Sequence, residues 1–366
     1  MTAQSVSGPP PTRLWLTRLF DQVAGDRLPP RITGSAVFGA PPALVIAAYV
    51  AIRWTHMSLG YLFSLGAVVV VVCVAPSLIW YYDSHLLPTF REEATALVIE
   101  PDVLDCLCDR YRKLITERWW VTALLAAAPI PFLMIFGRPF LRQQGLFGIT
   151  DPLFWAVFAV LLWIGVIVGI GFLLVTVMIL IIRALAKEQL RIDPLHPDGL
   201  GGMSVVGDYA IRTTALFSIG ALLLPLQLQY AATVGPEATS LIYVMALVYV
   251  LFIAASFLYP TFAVNRRADA VRTDILDDLR TQYQRLKREA NEPLIGADLT
   301  ATDSAVEQKL ARIREEHRAY SEVRLYPMEI TILTRLVVSV ALPIVSVGIE
   351  YVLRPEVLIP VFESLL

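Results

Sequence analysis

The sequence predicts an all-α polytopic membrane protein with about seven transmembrane helices and a cytoplasmic helical hairpin layer. Three observations carry that prediction. Between Ala36 and Leu353 seven apolar stretches recur, each about the length of a bilayer-crossing helix. The runs are continuous rather than alternating with period two, which selects helices over a barrel. The 366-residue chain is 56% hydrophobic and 17% charged, with a mean hydropathy of +0.62. A soluble domain carries about a quarter charged residues.

The net charge is −2. No basic field for nucleic acid is evident, so the expected surroundings are a lipid bilayer and other protein. Of the three cysteines, Cys73 lies in an apolar run, while Cys106 and Cys108 form a Cys-x-Cys pair. That pair cannot close a normal local disulfide, and no second pair completes a zinc site. Reduced, buried thiols are expected. The first forty residues show no secretory pattern, so the first apolar run is expected to be retained.

The chain divides as follows. Residues 1–35 form a cytoplasmic amphipathic segment. Residues 36–262 hold the first six spans, at 36–53, 59–82, 119–137, 153–182, 212–234 and 239–262. Between them lie a cytoplasmic helical loop, 84–118, and a Gly-rich loop, 184–211. Residues 263–328 form a cytoplasmic hairpin. Residues 329–366 hold the seventh span, 329–353, and an outer tail.

Basic residues orient the set. Arg13, Arg18, Arg27 and Arg31 precede the first span. Arg91, Arg110, Arg112, Lys113 and Arg118 lie between the second and third. Arg183, Lys187 and Arg191 follow the fourth, and Arg266, Arg267, Lys287 and Arg288 follow the sixth. With seven spans every basic-rich loop falls on one side. The N-terminus is then cytoplasmic and the C-terminus outside, in a cell membrane. Losing the first span, which Pro41 and Pro42 interrupt, would spoil this agreement.

Before the first span, Thr12–Val23 carries Leu14, Trp15, Leu16, Leu19, Phe20 and Val23 on a short amphipathic helix, with Thr12 as N-cap. It lies either in the membrane interface or on the protein's own cytoplasmic loops. In 84–118, Pro101-Asp102 opens a helix whose Val103, Leu107, Tyr111 and Leu114 share a face.

In 263–328 one stripe runs Val264, Ala268, Val271, Ile275, Leu279, Tyr283 and Leu286. Asn291–Thr302, with Pro293 and Gly296, is the linker. Ser304 and Glu307 form a capping box for a second helix, with the stripe Val306, Leu310, Ile313, His317, Tyr320 and Val323. Two such helices make an antiparallel hairpin. A single narrow apolar seam buries little by itself, so the hairpin is expected to pack on the 84–118 helix or on another copy. A homo-oligomer follows from that expectation.

Most spans carry proline: Pro76, Pro129, Pro131, Pro225, Pro260 and Pro343. These are either hinges or ordinary membrane-helix usage. The fourth span has instead Gly165, Gly169 and Gly171, a small-residue face suited to close helix contact and a straight spine.

Few polar groups enter the oil. Arg335 and Glu350 lie in the seventh span, with Glu329 at its start, and Gln227 and Gln229 follow Pro225 in the fifth. Intramembrane ionisable groups face a cavity or a partner. Arg335 therefore either snorkels or pairs with Glu329, or it contacts a pore or substrate near an inner mouth, with Gln227 and Gln229 lining the outer half.

One loop has the composition of a site. Residues 191–208 read RIDPLHPDGLGGMSVVGD. Asp193, His196 and Asp198 suit a divalent metal ion, the one cofactor these residue types imply. Gly199, Gly201 and Gly202 let backbone approach a small cytoplasmic ligand or ion. Asp83 and His85, below the second span, are on the same side. Against this, Pro-Asp-Gly is a turn signal, and the loop also reads as a chain reversal at the membrane surface.

No H-E-x-x-H, G-x-S-x-G, P-loop or dinucleotide fingerprint is present, so no catalytic residue is assigned. No chain of intramembrane carboxylates marks a proton-driven pump. The reading that remains is an oligomeric ion channel or channel-like effector, gated from its cytoplasmic layer. A secondary transporter and a metal-dependent membrane enzyme using Asp193, His196 and Asp198 are the alternatives.

Overall fold

The computed structural model describes residues 13–24, 29–98, 101–188, 193, 196, 201–231, 236–291 and 299–322. The protein is an all-α membrane protein, and no β-strand occurs among the described residues. Six of their helical stretches are long and apolar enough to cross a bilayer: Ile32–His56, Leu59–Leu97, Asp102–Phe136, Pro152–Leu185, Ser204–Ala231 and Thr239–Arg288. The expected seventh span lies outside the described residues.

Helix α1, Trp15–Ala24, precedes the spans. Its Leu14, Leu16 and Phe20 side are fully buried. Phe20 stacks between Phe38 and Trp80, and Trp15 meets Trp119 with ring centroids 5.2 Å apart. Most of the apolar face of this helix is therefore covered by the protein's own spans, while Leu19 and Val23 stay exposed.

Helix α2, Pro30–Arg53, runs straight through Pro41 and Pro42. Helix α3, Leu59–Tyr81, is capped by the Ser58 hydroxyl, which accepts from the Tyr61 N–H. A Cβ at Gly39 would lie 2.7 Å from the Cys73 Cα, so α2 and α3 approach at backbone distance.

After α3 the chain makes a π-helical turn, Tyr82–Leu86, then α4, Leu87–Ala94. Helix α5 runs Pro101–Ala127 without a break and is followed by α6, Pro129–Phe136. The helix expected in loop 84–118 and the span expected from 119 are thus parts of one continuous helix. Arg110–Arg118 lower the hydropathy but are good helix formers, so charge ends the apolar run without ending the helix. A short helix α7, Arg138–Gln143, closes this hairpin.

Helix α8, Pro152–Leu185, is the uninterrupted spine of 34 residues. Asp151 caps it by accepting from Leu153 N–H, and also meets Arg53 at 3.3 Å. The glycine face does what its spacing requires. A Cβ at Gly165 would sit 2.9 Å from the Ala127 Cα, and one at Gly169 2.5 Å from the Ala123 Cα. Small residues on both helices let α5 and α8 pack backbone to backbone.

The fifth span starts eight residues before the expected 212. It comprises α9, Ser204–Ser218, a 3₁₀ turn over Ile219–Leu223, and α10, Leu224–Ala231. Pro225 has no N–H to donate, and the α-ladder restarts around it.

Helix α11, Pro236–Asn291, is a single helix of 56 residues that joins the sixth span to the hairpin. Helix α12, Leu299–Glu322, returns alongside it. Its start corrects the capping box: Ser304 lies more than a turn inside the helix. Of the expected stripes, Ala268 and Leu279 on α11 are buried, Leu310, Ile313 and Tyr320 on α12 are half-buried, and His317 is exposed. Arg272 donates from Nε to the Tyr320 carbonyl at 3.0 Å and from a terminal nitrogen to the Ser321 carbonyl at 2.6 Å. Carbonyls in the last turn of α12 thereby gain a charged donor.

Candidate functional site

The Gly-rich loop joins α8 to α9. Of its predicted ligands, Asp198 and Gly199 lie outside the described residues, as do Arg335, Glu329 and Glu350. Asp193 and His196 are three residues apart in a turn, with His196 N–H donating to the Asp193 carbonyl at 3.1 Å. Asp193 N–H donates to the Gly201 carbonyl at 3.4 Å and closes the loop's base. Gly201 and Gly202 have φ of +67° and +91°. A Cβ at Gly202 would fall 2.9 Å from Leu97 Cδ2 and 3.8 Å from the His196 ring. Glycine is required there on both counts. Among the described residues no three of His, Cys, Asp and Glu converge as metal ligands.

Asp83 serves another purpose. It is 2% exposed, and its two carboxylate oxygens accept from Leu14 N–H and from the Arg112 guanidinium, each at 3.2 Å. It lies in the π-turn, where one extra residue per turn re-aims side chains. This carboxylate ties α1, the end of α3 and α5 together. His85 instead packs on the Trp80 and Tyr81 rings.

Two half-open cavities lie among the helices, and Leu125, Val244 and Val248 on the wall of the inner one remain exposed. The inner one, about 330 Å³, is bounded by α3, α5, α8, α9 and α11 and reaches Tyr82. The outer one, about 220 Å³, reaches Tyr49, Tyr61 and Phe140 at the opposite end. Ala126, Pro129, Val168, Leu223, Gln227 and Met245 line both. Along α3, Tyr61 and Tyr82 are about 30 Å apart at helical rise. The linings of the two cavities taken together therefore extend over roughly the hydrocarbon thickness of a bilayer.

The polar groups around this space are mostly engaged. Tyr49 donates to the Gln144 carbonyl at 2.8 Å, and Tyr61 lies 3.3 Å from Tyr49. Tyr230 donates to the Leu133 carbonyl, and Tyr249 to the Phe217 carbonyl. Tyr82 and Tyr209 share a hydrogen bond of 2.6 Å. Two groups differ. Gln227 is the polar residue common to both cavities. Thr213 lines the inner cavity at 1% exposure, with a buried hydroxyl that has no hydrogen-bond partner.

The two glutamines expected together are separated in role. Gln229 faces α3, its amide donating to the Gly60 carbonyl at 3.1 Å and to the Ser64 hydroxyl at 3.0 Å. Gln227 faces the cavities. Their spacing of two residues turns them to different sides of α10.

The cavities and Thr213 were beyond the reach of sequence reasoning. Apolar lining residues look like any membrane helix, and an unpartnered threonine is defined by its neighbours. Val244, Met245, Val248 and Tyr249 of α11 form part of the inner wall, and the same helix continues into the hairpin. Comparison with known protein families, with characterised proteins and with solved structures found no match.

Proposed function

We propose that the protein is an oligomeric ion channel or channel-like effector, gated from its cytoplasmic helical layer. The observation that carries this reading is the continuity of α11. One helix supplies the inner cavity wall at Val244–Tyr249 and one arm of the hairpin at Ala268–Leu286. Wall and hairpin are parts of one helix with Pro260 between them, where a hydrogen bond is missing and the helix can bend, so a tilt or rotation of the hairpin would reach the wall through α11 about that point.

The stacked cavities support the same reading. Between them their walls cover bilayer height, and the Gln227 amide lies in both walls, where a widening of either would bring the two spaces together. An apolar conduit excludes ions until it widens and wets, so this arrangement corresponds to a closed state. Arg272 holds the two arms together at the membrane-proximal end of the hairpin, where motion of α12 reaches α11. A second copy of the chain, joined through the cytoplasmic layer, would synchronise the hairpins.

Ion flux in liposomes tests the proposal. Wild type is compared with a Gly-Gly insertion after Arg267, between wall and hairpin, and with the same insertion after Lys287, near the hairpin tip. The first should change flux at least about tenfold, and the second should not. Absence of flux in all three under any cation or anion gradient overturns the channel reading.

A further inference from the structure

We infer that a polar cavity between Arg13, the π-turn, α4 and α5 holds the headgroup of a phospholipid in which a phosphate is joined to a primary ammonium. This cavity, about 480 Å³, is separate from the two apolar ones. One face of α5 lines it with Asp105, Cys108, Asp109 and Arg112, spaced three and four residues apart.

The wall supplies a partner for each ligand charge. Arg112 is 8% exposed, and its Nη2 donates to Asp83. Its Nη1 makes no hydrogen bond among the described residues and, unlike its Nε, is not closed off from solvent. Arg112 borders this cavity, so that nitrogen opens onto it. A buried guanidinium with an accessible unused donor matches a phosphate oxygen. Yet the acids around the cavity outnumber the arginines, and a simple anion would meet that excess of like charge. Asp105 and Asp109 each give one oxygen to Arg91, at 2.5 and 3.0 Å, and keep the other. Glu92 adds a further carboxylate. An ammonium carried beside the phosphate satisfies both sides. Asp109 and Arg112 are three residues apart on the helix, about 5–6 Å between Cβ atoms, so a short link between the two charges suffices.

The ammonium is a primary one because carboxylates reward N–H donors. A quaternary ammonium recruits aromatic faces, and no aromatic ring lines this cavity among the described residues. Position makes the ligand a lipid. Helix α3 rises about 33 Å from Leu59 to Tyr81, close to the hydrocarbon thickness of a bilayer. Asp83 follows directly, so the cavity lies at headgroup level.

Thermal unfolding of the full-length protein in detergent tests this, with short-chain phospholipids as ligands. Their tails are identical and their heads are ethanolamine, choline or glycerol. The ethanolamine lipid should raise the midpoint saturably, and the other two should need at least about tenfold more for the same rise. Glycerophosphoethanolamine, the same head without tails, should also act at least about tenfold more weakly.

Asp109→Asn removes an exposed carboxylate, so its midpoint without lipid should stay near that of wild type. Its preference for ethanolamine over choline should fall at least about fivefold. Equal responses to the three heads, or an unchanged preference in Asp109→Asn, overturn the inference. A tail-free head as potent as the lipid overturns the assignment to a lipid and makes the ligand a soluble zwitterion.

Discussion

Arg112 on α5 meets Asp83 in the π-turn after α3 at 3.2 Å, with both side chains almost fully removed from solvent. Taking two charges out of water is expensive, and the pair gains only when both remain. Asp83→Ala leaves Arg112 buried and unpaired. It should lower unfolding stability by about 3–5 kcal/mol. Asp83→Ala with Arg112→Leu should recover part of that loss, as a thermal-unfolding cycle in detergent would show. A second readout is specific to the latch. Asp83 also accepts from Leu14 N–H, so in Asp83→Ala trypsin should cut faster after Arg18 in α1. Unchanged cleavage would mean that the apolar face and the Trp80 indole bond to Asp21 hold α1 without the Asp83 latch.

Glycines on α8 allow a contrast within one fold. At Gly169 an added Cβ meets the Ala123 Cα and the Thr122 carbonyl, each at 2.5 Å, and backbone cannot step aside cheaply. Gly169→Ala should cost about 1–3 kcal/mol, as over-packing does. Gly66 on α3 has nothing within 4 Å of its would-be Cβ. Gly66→Ala should be neutral or stabilising by up to about 1 kcal/mol, because alanine loses less conformational freedom on folding. Equal effects at the two positions would refute the close approach of α5 and α8.

That contact was legible in the sequence, because small residues four apart on a long apolar helix have few other uses. The six spans were legible for a similar reason: hydrocarbon requires continuous apolar helix, and the composition shows it. Helix ends were less so. The charges of Arg110–Arg118 and Asn265–Arg267 mark where oil gives way to water, yet α5 and α11 run through those borders. Hydropathy reports the solvent around a residue, and backbone hydrogen bonding is indifferent to that change. The candidate site was legible only in part. Gln227 could be suspected as an amide in oil. Its separation from Gln229, and the free hydroxyl of Thr213, depend on which helices pack around them.

The Gly-rich loop gives a third test. Gly202 combines a φ of +91° with a neighbour, Leu97 Cδ2, at 2.9 Å from any added Cβ. Gly202→Ala should destabilise by about 1–3 kcal/mol through backbone strain, with the crowding added to it. In a cycle with Leu97→Ala the crowding should disappear and the strain remain. The double variant should therefore be more stable than the sum of the two single effects. Strict additivity would show that Leu97 does not press on the loop.

Gln229 and Gln227 separate structure from passage. Gln229→Leu removes two donations, to Gly60 and Ser64, and leaves buried acceptors on α3 short of a partner. A loss of about 1–3 kcal/mol in unfolding stability is expected. Gln227→Leu removes no such bond, and leucine suits an apolar wall, so its stability should stay within about 0.5 kcal/mol of wild type. Flux should respond in the opposite order. Removing the one polar group that, among the described residues, lines both cavities makes the wall between them harder to wet, so in the channel reading Gln227→Leu should reduce ion flux at least about tenfold. Gln229→Leu, once folded, should conduct as wild type does. If Gln227→Leu conducts normally while the protein does carry ions, the path does not run through the stacked cavities, and an interface between copies becomes the place to look.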